Sequence, residues 1–457
     1  MTVTQAQSIA QLRQNALSIF YAGIEAANPY LAVKRAIKFT DNHLELSLDL
    51  HDNSQVRIGR WSKVHLLAFG KAACAMAKAV QEVIPVELLD SQGIVVTNYE
   101  NRIELANLTV IGAGHPLPDA AGLHAASLIT EQLKTAQQGE LVLVLISGGG
   151  SALLPAPTAP MTLAEKIATT ALLLGCGATI QEINCVRKHL SQLKGGQLAR
   201  LAYPADLHAV ILSDVLGDDL SAIASGTTVA DDTSYIDAIG VLNRYHIWNK
   251  VPATVQQVLE QGRAGRLKET PKSGDPIFKR SSHVLVGSNA LSVDAIMTAA
   301  QQQGYQTQVY SRILCGIARE EAEKLALHVK QLLADGLETP TALLAGGETT
   351  VILKGTGQGG RNQEMALAFA MAAKKYQLPP CWTFLSGGTD GRDGSTDVAG
   401  GLVDPLSLER IRNARLNPAN RLNNNDSYTA LKSSADLLMT GATGTNVADL
   451  QVLLLNV

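Results

Sequence analysis

Charge is scarce in this chain, and so are aromatic rings. Asp, Glu, Lys and Arg make up 17% of the 457 residues, the net charge is −3, and Phe, Trp and Tyr amount to 4%. With no broad basic field, nucleic acid and anionic membrane are poor candidates as partners. With so few rings, a stacking platform for single strands is excluded as well. Five cysteines, Cys74, Cys176, Cys185, Cys315 and Cys381, contain no Cys-x-x-Cys pair, and their number is odd. They are read as reduced thiols of a cytoplasmic protein. Ten histidines are scattered without a His-Glu-x-x-His motif, so zinc chemistry has no support. No run approaches the roughly 18 apolar residues of a membrane span. The first twenty residues look like an amphipathic helix and lack the apolar core of a signal peptide.

What the chain does have is apolar bulk, 46%, and 39 glycines, many clustered at the ends of apolar runs. A pattern repeats: short β-rich run, glycine-rich or polar turn, longer helical segment. Val64–Phe69 leads into GKAACAMAKAV, Leu141–Ile146 into SGGGSALL, His208–Leu212 into SDVLGDDLSAIASG, and Val284–Val286 into GSNALSVDAIM. Thr162 with Glu165 reads as a capping box opening a helix. The alternation predicts an α/β fold with parallel strands, whose ligands bind beyond the carboxyl ends of the strands. The polar stretch Gly262–Ser282 reads as a linker or long surface loop. It divides the chain into a larger Rossmann-like domain, 1–275, and a smaller α/β domain, 276–457.

The strand-end loops carry the chemistry. Ser147, Gly148, Gly149, Gly150 and Ser151 form a bare segment whose amides suit a phosphate. Lys71 follows a strand at a helix start and adds a point charge there, unless it is a solvated helix-end lysine. Asp214, with Asp218 and Asp219 behind it, can ligand Mg²⁺ or cap a turn. Arg361 follows GTGQGG and opens a helical pattern, where a guanidinium can clamp a phosphoryl group or a carboxylate. Gly355–Gly360 formally matches Gly-x-Gly-x-x-Gly. The next strand, however, ends in Ser386, where a dinucleotide site needs an acid for the ribose. Asp390 lies in SGGTDGRDGSTDVAGG as a base or metal ligand, or as an Asx turn. Asn446 lies in the donor-rich GATGTNVAD.

Taken together, FGKAA, SGGGSALLPAP, SDVLGDD, ASGTTVAD, GGETT, GQGGRNQE, SGGTDGRDGSTDVAGG and GATGTNVAD resemble the glycerate 2-kinases of the class that carries a MOFRL domain. Some members of that family are labelled hydroxypyruvate reductases. The resemblance spans nearly the whole chain. It implies phosphorylation of D-glycerate on its 2-hydroxyl with ATP and Mg²⁺. It also implies two α/β domains, with the MOFRL region at about 341–450 and an active site in the cleft between domains. Lys71, Arg361 and Asp390 become catalytic candidates. Lys71, Arg361, Glu348 and Asn446 become substrate contacts. Ser147–Ser151 and Asp214 serve the nucleotide, and Asp214 and Asp390 the metal. Leu216 departs from the family, standing where proline is usual. The oligomeric state is left open, with a homodimer among the options. An NAD(P)H-dependent reductase is the rival reading, and a non-catalytic nucleotide or sugar-phosphate sensor a third.

Overall fold

The computed structural model describes residues 3–50, 52 and 54–456. They form two compact units, Pro29–Val286 and a discontinuous unit of Met1–Asn28 with Gly287–Val457.

In the first unit a small antiparallel sheet of β1 (Ile37–Thr40), β2 (His43–Ser47) and β3 (Val56–Gly59) precedes the main one. The main sheet contains β4 (Val64–Phe69), β5 (Ile94–Asn98), β6 (Thr109–Ala113), β7 (Leu141–Ile146), β8 (Asp206–Leu212) and β9 (Ser281–Gly287), in the order β6-β5-β4-β7-β8-β9. The pairings β4–β5, β5–β6, β4–β7 and β7–β8 are parallel. Every residue of β4 and β7 is buried, as expected of central strands covered on both faces. Leu67, Phe69, Val142, Val144, Leu207 and Ala209 pack on one face with Ile129 and Leu133 of the helix Ala120–Leu133. From β4 the chain moves outward to β5 and β6, then returns to place β7 on the other side of β4. The direction of strand addition therefore reverses between β4 and β7, which is where an open α/β sheet leaves a crevice. Between β7 and β9 lies a helical cluster with its own core, including Leu173, Val186, Leu242 and Val258. Its helix Leu163–Gly175 opens with the expected capping box of Thr162 and Glu165.

The second unit has a mixed sheet of β10 (Gln306–Leu314), β11 (Thr341–Gly347), β12 (Trp382–Gly388), β13 (Gly400–Val403), β14 (Leu437–Leu438) and β15 (Asp449–Leu455), ordered β10-β11-β15-β12-β13-β14. Only β10 and β11 pair in parallel; the central β15 runs antiparallel to both β11 and β12.

These units do not coincide with the division expected near residue 275. The N-terminal helix Val3–Ala26 belongs to the second unit because Leu12, Ala16, Ile19 and Phe20 fill a core with Val293, Ile296, Leu450 and Val452. Arg13 adds bonds to the buried Asp404 (2.6 Å) and Asp436 (2.9 Å). At the other end, β9 completes the first sheet, so the border falls after residue 286. The stretch 262–282 is no free linker. Thr270 is buried and donates to Asp231 (3.0 Å), and Glu269 meets the buried His189 at 2.9 Å.

That last pair makes a stability prediction. Burial opposes charge on His189, but Cys185 O, Glu269 and the nearby Asp231 hold its pKa up at about 9. Burial likewise opposes ionised Glu269, yet His189 and the backbone N–H groups of Tyr235 and Thr270 hold it at about 2. A histidine raised above its unfolded value stabilises fully below the unfolded pKa of about 6.5, and that contribution fades as pH rises through about 9. Because Glu269 is partly exposed, screening limits the loss to about 1–2 kcal/mol. Chemical denaturation at pH 6 and pH 10 is expected to show this fall, and Glu269→Gln is expected to flatten it. Equal slopes for both proteins would refute the assignment.

Candidate active site

Two strand-end clusters carry the candidate residues, one in each unit. In the first, the loop after β4 and the loop after β7 meet at the strand reversal. Ser147 N–H donates to Phe69 O (3.1 Å), Lys71 N–H to Gly148 O (2.9 Å), and Ala72 N–H to Ser147 Oγ (3.0 Å). Gly70 lies at φ +128°, and a Cβ there would stand 2.2 Å from Ser147 Oγ, so only glycine lets these loops close. Gly148 is required for a different reason: a Cβ on it would stand 2.2 Å from Asp214 Oδ2. The Asp214 carboxylate thus lies directly over the glycine loop. Lys71 and His115 flank Gly149, whose added Cβ would lie 3.4 Å from Lys71 Cε and 3.0 Å from His115 Cδ2. The Lys71 ammonium makes no hydrogen bond or ion pair among the described residues. Burial and then Lys71 push the His115 pKa down, which favours its neutral imidazole. The structure thus gathers Lys71, Ser147–Ser151 and Asp214, all singled out from sequence.

Ser151 begins a polar chain that sequence did not reveal. Lys194 Nζ donates to Ser151 O (3.1 Å) and Oγ (3.2 Å); Ser151 Oγ and Ser225 Oγ are 2.6 Å apart; Ser225 donates to Asn184 Oδ1 (3.1 Å). Ser225 lies at the centre of three consecutive positive φ angles, Ala224 +49°, Ser225 +58° and Gly226 +63°. Non-glycine residues held there cost about 1–3 kcal/mol each, a strain characteristic of functional corners.

In the second unit, Asp449 opens the central strand β15 and pairs in register with Gly347 of β11 and Gly388 of β12. Arg361, the first residue of the helix Arg361–Lys375, reaches this carboxylate. Its Nε and Nη2 donate to Asp449 (2.6 and 2.8 Å), and its Nη1 stands 3.1 Å from Glu348. The helix start itself is capped by buried Asp393, which accepts from Asn362 N (3.1 Å) and Gln363 N (2.8 Å). Arg361 is therefore aimed by two acids. Burial opposes its charge, but Asp449 and Glu348 hold its pKa above the usual range. Asp390 follows β12 and accepts from Arg392 N–H (3.0 Å) as an Asx turn. Asn446 accepts from Ala448 N–H (3.3 Å). The Gly-x-Gly-x-x-Gly string does not follow a strand directly. Lys354 N and Gly355 N donate to Asn425 Oδ1 (2.7 and 3.0 Å), and Gly357 N to Asn424 O (2.9 Å), so those amides are taken. A dinucleotide turn needs them free.

No three His, Cys, Asp or Glu side chains among the described residues gather as a metal site. Mg²⁺ in phosphoryl-transfer sites takes only one or two carboxylates, completing its shell with water and phosphate. Asp214 over the glycine loop fits that role. All five cysteines are free, and no described helix is long and apolar enough to cross a membrane.

Known proteins are similar to this chain in sequence and fold. Residues 15–260 match a family model described as a domain of unknown function, DUF4147, and residues 341–449 match the MOFRL family. The glycerate 2-kinase of Pyrococcus horikoshii is 38% identical over 439 residues, covering 95% of this chain and 96% of that protein. An Agrobacterium vitis protein provisionally named a hydroxypyruvate reductase is 43% identical, covering 84% of this chain and 86% of its own. The crystal structure of a glycerate kinase from Thermotoga maritima superposes with a TM-score of 0.85 at 37% identity, over 98% of this chain and 100% of that one. With both family models matched in order and full-length relatives of this kind, the chain belongs to the MOFRL-class glycerate 2-kinase family.

Proposed function

We propose that the protein transfers the terminal phosphoryl group of ATP to the 2-hydroxyl of D-glycerate, giving 2-phosphoglycerate. The observation that carries this reading is the cluster at the β4/β7 reversal: an amide-lined serine–glycine loop, a cation on one flank and a carboxylate above it. A polyphosphate needs such groups, and the full-length likeness to glycerate kinases supports the acceptor. The Ser147–Ser151 loop holds phosphate oxygens with amides and hydroxyls. Lys71, whose ammonium has no hydrogen bond or ion pair among the described residues, neutralises charge that builds on the transferring group. Asp214 would hold Mg²⁺, which shields the phosphate oxygens when bound.

Arg361, aimed by Asp449 and Glu348, binds the glycerate carboxylate through its guanidinium. Asp390 receives the hydroxyl proton, and Asn446 contacts the substrate. Proton removal comes late in a loose transition state, so the base contributes modestly. The protein acts in the cytoplasm. The reductase reading lacks a free glycine turn, since Asn424 and Asn425 occupy the backbone where pyrophosphate would lie.

A paired assay is expected to show glycerate-dependent ADP release, with phosphorus NMR placing the phosphate on the 2-position. Hydroxypyruvate-dependent loss of NAD(P)H absorbance without ADP release would overturn the proposal.

A further inference from the structure

Beside the glycine loop, the helical cluster of the first unit carries three cations that no carboxylate among the described residues pairs. Lys194 is 1% exposed, and among the described residues its ammonium bonds only Ser151, through Oγ and the carbonyl. Lys166 is 7% exposed and donates to Leu190 O (2.9 Å). Arg187 is half-buried and makes no hydrogen bond or ion pair among the described residues. It stands three residues after Asn184 on the helix Ile180–His189, hence on the helix face that reaches Ser225. The other buried cations of this helix are matched: Lys188 pairs with Asp231 (3.2 Å) and His189 with Glu269. Among the described residues, no carboxylate bonds Lys166, Arg187 or Lys194.

The three lie close enough to repel one another. Burial, then Lys166 and Arg187, push Lys194 well below the ordinary lysine range; burial and Arg187 bring Lys166 down to about 7. Uncompensated buried cations are costly to a folded protein. They are tolerable where a ligand brings the missing negative charge. A monocarboxylate such as glycerate brings one; a nucleotide's polyphosphate brings several.

We propose that Arg187, Lys194 and Lys166 form the subsite that anchors the polyphosphate of the nucleotide, at the Ser151–Ser225 end of the glycine loop. The identity of the oxyanion rests on the kinase reading above; the anion site itself does not. Arg187 supplies the planar fork that matches phosphate oxygens. Lys194 and Ser225, already positioned by Ser151 and Asn184, supply a buried point charge and a hydroxyl. Anion arrival favours the charged form of Lys194, so binding is coupled to proton uptake.

Calorimetry on the full chain tests this with inorganic pyrophosphate, ADP and D-glycerate as separate probes. Arg187→Gln is expected to weaken pyrophosphate and ADP roughly ten-fold or more, while glycerate affinity stays within about two-fold. Arg187→Lys, which keeps the charge and loses the fork, is expected to lose less and serves if the glutamine variant does not fold. In wild type, pyrophosphate binding measured in buffers of different ionisation enthalpy is expected to show proton uptake that Lys194→Met reduces. Unchanged pyrophosphate and ADP affinity would overturn the proposal. So would a loss confined to glycerate, which would make this the carboxylate site, or an equal loss for all three probes. If the wild type binds pyrophosphate through Arg187 yet never phosphorylates glycerate, the kinase reading fails and the anion subsite stands.

Discussion

Lys71→Ala is expected to lower turnover by about 10²–10³-fold, the usual cost of removing one preorganised charge from a developing anion, with the fold intact. The fold should survive because the lysine's backbone, not its ammonium, ties the two loops. Lys71 N–H bonds Gly148 O, and Lys71 O accepts from Thr97 Oγ1 (3.2 Å) and Asn101 Nδ2 (2.9 Å). Alanine keeps all three bonds. The effect should fall on kcat more than on the KM for ATP, because the amide loop and the anion subsite still bind the nucleotide. Gly70→Ala makes a contrasting control. It retains the ammonium but drives a methyl into Ser147 at a positive φ, so it is expected to lose stability together with activity. Melting curves alongside steady-state kinetics separate the two. A Lys71→Ala enzyme with near-normal kcat would remove the lysine from the mechanism.

Much of the first cluster was legible in sequence because the runs VHLLAF and LVLVLI are almost wholly apolar and lead into glycine, directly at Gly70 and after Ser147 at Gly148. A buried parallel strand has that signature, and the residues beyond its carboxyl end are where ligands gather. Lys71, Ser147–Ser151 and Asp214 follow from position alone. Asp449 does not. It lies 88 residues from Arg361, and its partner is chosen by β15 inserting antiparallel between β11 and β12, a topology that no local pattern encodes. The one available signal was an acid directly preceding a largely apolar run, LQVLLL. Arg187 and Lys194 were hidden for another reason. Cations on or beside helices usually mark a solvated face, and only the packing of the helical cluster shows that these are buried. The stretch 262–282 was misleading in the same way. It reads as polar and aperiodic, and much of it is exposed, but Glu269 and Thr270 within it tie it to His189, Asp231 and Arg200 inside the first unit.

Arg361→Met is expected to cost both activity and about 3–5 kcal/mol of stability, because it strands a buried acid. Asp449 is fully enclosed, and burial already pushes its pKa up to about 6 against the pull of Arg361. Without the guanidinium that pull is gone, so the folded-state pKa rises further while the unfolded value stays at about 3.9. The sign follows from linkage. Between those two values the folded state holds a proton that the unfolded state has lost, so stability falls as pH rises. The variant should therefore be least stable at alkaline pH and recover toward pH 5. Adding Asp449→Asn to Arg361→Met replaces the stranded carboxylate by a neutral amide and is expected to restore much of the stability and flatten the pH dependence. It is expected to restore no turnover, since the group that meets glycerate is still missing. The double-mutant cycle thus separates the two roles of one arginine. If the double variant regained activity, Arg361 would serve only to neutralise Asp449. If Arg361→Met melted like wild type at pH 9, the buried pair would not be the structural fixture that its two bonds to Asp449 describe.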